Sequence, residues 1–184
     1  MNPVANGLRR LTVVALLSVG APVHAADSAS FPDRTCGIGF GFPLNWTLSV
    51  AYPKDLACQI ELEPPPEQDV VMASPGTPDE PCHLGSIHIT VRRESHEAVA
   101  LRSGFSKPKG EWHYMAGSVF DHVELVTGTG WRGVHASTTS HYCGSAQETH
   151  DYVLGHRLRA VSIGVHGNNL SVVESLLKTL TIQP

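Results

Sequence analysis

Residues 130–165 read GWRGVHASTTSHYCGSAQETHDYVLGHRLRAVSIGV. Two runs, 131–143 and 150–165, are rich in β-branched and aromatic residues and contain no proline, and the stretch 144–149 joins them. Strands of this make-up suit the interior of a sheet, where every backbone N–H is needed by a neighbour on one side or the other. The stretch predicts a long β-hairpin, and the rest of the chain reads as what that hairpin pairs with and packs against.

Downstream, Leu170, Val173, Leu176, Leu177 and Leu180 recur at helical spacing and form one apolar stripe. Ser171 and Glu174 stand at capping-box spacing, which predicts a helix start there. The stripe needs an apolar surface, most simply a face of the sheet. Upstream, Ile87, Ile89 and Val91 alternate with His88, Thr90 and Arg92, the pattern of a half-buried strand. Residues 94–103 then read as a helix capped by Ser95 and stopped at Gly104. Residues 37–42 alternate glycine with Ile38, Phe40 and Phe42, leaving a glycine face open to close approach by another backbone or side chain. Residues 47–52 and 56–63 are further strand candidates. Between them and Ile87 lies an excursion, residues 64–81, with prolines at 64, 65, 66, 75, 78 and 81, which excludes a helix or a central strand there.

The N-terminal end has a different character. Arg9 and Arg10 precede an apolar run from Leu11 to Ala21, and Val23-His24-Ala25 offers small residues for cleavage. Residues 1–25 therefore read as a signal peptide, 26–35 as a mobile leader, and 36–184 as a single domain that is periplasmic or secreted, with no transmembrane segment. Without Arg9 and Arg10 the 13 basic residues fall to 11 against 17 acidic ones, a formal charge of −6, which disfavours nucleic acid as a partner. Four cysteines in an exported chain predict two disulfides with three pairings open. The preferred pairing joins Cys58 to Cys82, across the base of the excursion, and Cys36 to Cys143.

Phe42-Pro43-Leu44-Asn45-Trp46, the strand–helix pair over residues 86–103, the hairpin over 131–165 and the final helix over 170–182 together resemble the PsbP-like family. The resemblance implies an α+β fold, an antiparallel sheet with a long C-terminal hairpin packed by helices as an α/β/α sandwich. It also implies a non-catalytic role as an assembly factor, adaptor or accessory subunit. Four cysteines and the proline-rich excursion depart from the family pattern.

Three functional readings follow. In the first, the chain is a disulfide-stabilised binding module for an envelope protein. Its contact surfaces are the glycine-flanked strand and the excursion, where Val70, Val71 and Met72 supply apolar contacts. In the second it binds zinc or copper. Pairing Cys143 opposite His150 would place His135, His141, His150 and His156 on one face of the hairpin, and imidazoles from adjacent strands make such sites. The third is a hydrolase with a dispersed site, since triads are recognised by geometry and not by order. No Gly-x-Ser-x-Gly, His-Glu-x-x-His, Cys-x-x-Cys or phosphate-binding glycine loop is present to support a catalytic class. Ten histidines remain in the mature part, so mild acid would carry its charge from −6 towards +4 and is expected to change association or solubility below about pH 6.

Overall fold

The computed structural model describes residues 28–69, 71–73, 81–83, 85–116, 119–121, 123–142, 145–166 and 169–183. In chain order the elements open with β1 (Ser28–Asp33), β2 (Ile38–Pro43), β3 (Thr47–Ala51), β4 (Cys58–Glu63), β5 (Val71–Ala73), β6 (Pro81–His83) and β7 (Ile87–Arg92). Helix α1 (His96–Arg102) follows, then β8 (Phe105–Ser106), β9 (His113–Ala116), β10 (Val119–Asp121) and β11 (Val123–Gly128). The chain ends with β12 (Trp131–Tyr142), β13 (Ser145–His156), β14 (Arg159–His166), α2 (Leu170–Thr179) and β15 (Thr181–Ile182).

The centre is a seven-stranded antiparallel sheet in the order β11-β12-β13-β14-β7-β4-β3. As the proline-free runs predict, β12 and β13 lie inside it. The second run is two strands, however, and its break at Arg157-Leu158 has no glycine, proline or asparagine to announce it. Arg157 takes a φ of 51°, the left-handed region that glycine or asparagine usually fills in such a turn. The hairpin register also differs from the expectation. His150 stands opposite Ser137, and Tyr142 opposite Ser145. The shift amounts to six residues, an even number, so every side chain keeps the face that the sequence pattern assigns it.

One face carries Ile60, Leu62, Ile87, Ile89, Val91, Leu154, Val161, Ile163 and Val165, and it packs on Val173, Leu176 and Leu180 of α2 together with Ile38 and Phe40 of β2. The opposite face carries Val134, Ala136, Val153 and Ala160 against Val99 and Ala100 of α1 and Phe105. The stripe on the last helix thus does what its spacing requires. Its start is different from the capping box: Asn169 is the N-cap, without a side-chain cap bond, and instead donates from Nδ2 to the Gly85 carbonyl at 2.6 Å. Ser95 caps α1 as expected, accepting from the Ala98 N–H at 3.3 Å.

Three expectations are corrected here. Residues 28–33, expected within a leader, form β1, because Phe31 stacks on Phe40 with ring centroids 5.2 Å apart and the strand pairs with β2 along its length. Cys58 is bonded to Cys36 and not to Cys82. Both cysteines are fully buried where the small sheet β1-β2-β15 lies against the central one, so the bond joins two layers. Cys143 lies outside the described residues. The glycine face of β2 is also taken by the chain itself: a Cβ on Gly39 would meet Thr181 Oγ1 at 3.1 Å, and the Gly41 N–H donates to Thr179 Oγ1 at 2.8 Å. The excursion holds a short antiparallel pair, β5 with β6, in which Met72 stands opposite Cys82. Val70 lies outside the described residues.

Candidate functional site

Two side-chain groups with chemistry lie on opposite faces of the hairpin. The first comes from the histidines singled out in the sequence. His135 of β12 and His150 of β13 meet with Nε2 of the former 3.1 Å from Nδ1 of the latter. Their rings are 11° from parallel with centroids 5.4 Å apart, and the two nitrogens face each other at hydrogen-bond distance, one able to donate to the other. Carboxylates stand at both ends. Glu124 Oε2 is 3.4 Å from His135 Nδ1, and Glu148 Oε1 is 3.6 Å from His150 Nε2. That last nitrogen is buried without a hydrogen-bond partner among the described residues. Tyr152 stacks on His135 at 4.2 Å, and burial, with smaller contributions from Glu174 and Glu124, pushes its phenol up to about 12. Burial also holds the His135 imidazole below its ordinary value; the Glu124 hydrogen bond opposes this and the charge of His150 adds to it.

The other two histidines do not join them. His156 is six residues from His150 along β13, about 20 Å at the usual strand rise, and His141 is as far from His135 along β12. Among the described residues no group of three or more His, Cys, Asp or Glu is arranged to hold a metal ion. The pair can hold and pass a proton along a carboxylate–imidazole–imidazole–carboxylate line.

The second group is absent from the sequence reading. On the face that carries α1, a cleft of about 550 Å³ opens among Ser95, His96, Arg132, Gly155, His156 and Arg157. A neighbouring hollow of about 260 Å³ shares His96, Glu97 and Arg132 with it and adds Lys107, Trp112 and Leu125. Glycine builds the floor. Arg132 pairs with Gly155 across β12 and β13, and a Cβ on Gly155 would come within 2.6 Å of His96 Cβ, so α1 can settle there only on a bare backbone. Lys107 is committed to Glu97 at 2.8 Å and lies 5.0 Å over the Trp112 ring. Arg132 and Arg157 are exposed and have no hydrogen bond or ion pair among the described residues. His96 is held below its ordinary value by burial first and by the nearby Arg132 charge second. The cleft is therefore cationic in a chain with a formal charge of −4.

Beside this cleft the sheet is open. Strand β11 ends the seven-stranded order, and its outer edge is unpaired among the described residues. It carries no proline or lysine, residues that often blunt natural edges; Glu124 is its one charge, and Leu125 is 75% exposed on it. Sequence reading missed the cleft because Arg132 and Arg157 are 25 positions apart and come to one end of the sheet only through the β12–β13 pairing, with Arg157 in a turn that no turn residue announces.

The sequence matches no protein-family model, and no curated protein matches it. Among the solved structures that resemble the chain are the following two. The solution structure of cyanobacterial PsbP (CyanoP) from Synechocystis sp. PCC 6803 does so with a TM-score of 0.51 and 8% identity, over 90% of this chain and 98% of that one. A crystal structure from Bacteroides thetaiotaomicron VPI-5482 does so with a TM-score of 0.52 and 10% identity, over 86% of this chain. The match takes in 49% of that protein, so the chain spans about half its length. At such identities the likeness is one of fold: a mostly antiparallel sheet with two helices, structurally similar to the PsbP-like fold.

Proposed function

We propose that the protein is an exported, non-catalytic binding module of the cell envelope that docks on an envelope protein. The observation that carries this reading is the outer edge of β11, unpaired among the described residues, a strand with an exposed leucine at the end of a seven-stranded sheet. Such an edge offers unpaired N–H and C=O groups to an added strand. The PsbP-like likeness, with α1 and α2 on opposite faces as in an α/β/α sandwich, supports it, since that family works mostly as adaptors and accessory subunits. The excursion 64–81, with Val70, Val71 and Met72, is proposed as a second contact.

The test is a pull-down from the envelope extract of the source organism with three baits: the full chain, Leu125→Asp, and the chain lacking 64–81. A discrete partner captured by the full chain and lost with either variant supports the reading and locates the surface. An empty pull-down with a folded bait contradicts it.

A second reading keeps the metal. His135 Nε2 and His150 Nδ1, 3.1 Å apart, are the two ligands that would hold zinc or copper, with Glu124 and Glu148 at the outer nitrogens to orient the rings. Stoichiometric metal retained after dialysis, and lost with His150→Gln, would support it. Metal-free protein after loading with either ion would remove it.

A further inference from the structure

We propose that the cleft beside β11 recognises an extended peptide by an acidic side chain next to an apolar one. This rests on the binding-module reading and names the ligand chemistry of that surface. The acidic group is taken by Arg132 and Arg157, and the apolar neighbour by Leu125 and Trp112.

Charge complementarity supplies the first part. The chain is acidic overall, yet two guanidinium groups with no hydrogen bond or ion pair among the described residues line one cleft, and the one carboxylate in its lining, Glu97, which also feels the Arg132 charge, is paired with Lys107. A guanidinium presents several N–H donors in a planar fork that fits a carboxylate. Backbone strain supplies the second. An arginine kept at φ 51°, where glycine or asparagine costs less, points to a use for that side chain at the hairpin tip. The third part is the division of the surface. The hollow next to the cationic cleft shares Arg132 with it and adds the apolar Trp112 and Leu125 beside the Lys107–Glu97 pair, so a free charged contact and an apolar contact lie side by side next to β11. Residues of an added strand follow at about 3.3 Å each, and side chains on one face recur every second residue. An acidic and an apolar residue two apart in a bound peptide would reach both subsites, while the peptide backbone pairs with β11.

The experiment is a cellulose array of all pentapeptides built from Leu, Asp, Asn and Lys, probed with the purified full chain. Bound spots are expected to carry Asp with Leu near it, and Asn at the Asp position is expected to weaken binding about tenfold or more, the worth of a charge-assisted hydrogen bond. The double variant Arg132→Gln, Arg157→Gly is expected to lose the preference; its glycine relieves the turn, so folding is retained, which its circular dichroism will show. A preference for Lys, no preference at all, or an unchanged preference in the double variant overturns the proposal. Displacement of the best peptide by an equal concentration of inorganic phosphate assigns the cleft to a free anion and also overturns it. Because the array contains no envelope component, its failure leaves the pull-down standing, and an empty pull-down leaves a positive array standing.

Discussion

Removing the Cys36–Cys58 bond tests how the two layers of the fold are held. The bond closes a separation of 22 residues, and the chain-entropy relation gives about 3.4 kcal/mol for a loop of that size at 25 °C. Both cysteines are fully buried, so Cys36→Ala with Cys58→Ala also leaves two small voids, whereas serines would bury two hydroxyls that need partners. The expected loss is roughly 3–5 kcal/mol, about 6–15 °C in the unfolding midpoint for a chain of this size. The fold itself is expected to survive, because β2 remains paired with β1 and β15 and tied to α2 through Thr179. Urea unfolding followed by tryptophan fluorescence reads this directly, since Trp46 and Trp131 are each only 6% exposed. The m-value is expected to rise, as the uncrosslinked unfolded chain exposes more surface. A loss below about 1 kcal/mol with an unchanged m-value would refute the reasoning, as would non-reducing peptide mapping that joins Cys58 to Cys82.

Three more outcomes are expected. Leu176→Ala, at a fully buried site between α2 and the sheet, is expected to cost about 2–5 kcal/mol in chemical denaturation, and a cost below 1 would mean that α2 is not docked as described. Gly155→Val drives a side chain into His96 and the Arg159 carbonyl, so it is expected to lower stability by about 1–3 kcal/mol or more and to shift the His96 proton resonances; neither change would count against the α1 contact. Burial lowers the folded pKa of His135, His96 and His166, so as pH falls below the unfolded value of about 6.5 the unfolded chain takes up protons first. Stability is therefore expected to decline from that pH down to the folded values and to level off below them. Histidine NMR titration in which His135 titrates at or above 6.5 would contradict this.

Several parts of the fold were legible because they rest on periodicity. Alternation in β7 and the leucine stripe of α2 each put a defined face into the core, and the face of every hairpin residue survived a register error of six. What failed rests on chemistry that a linear pattern does not carry. The turn at Arg157-Leu158 has no turn residue, the pairing of Cys36 with Cys58 depends on which layer covers which strand, and β1 is held by its ladder with β2 and by one tilted aromatic contact, in a stretch whose own pattern is polar. The site divides in the same way. His135 and His150 were found from hairpin parity, while His156 shares their face but lies far along the strand. The cationic cleft escaped notice because one arginine comes from β12 and the other from the turn after β13, and its floor from a glycine whose absence of a side chain matters only once α1 is in place.

The account stands on the open edge of β11 being a contact surface. Placing p-benzoylphenylalanine at Leu125 and, as a control, at the exposed Arg93, then irradiating intact cells, tests it directly. A single discrete protein adduct from Leu125 and none from Arg93 is the predicted result. No adduct from Leu125, or the same set of adducts from both positions, would contradict it.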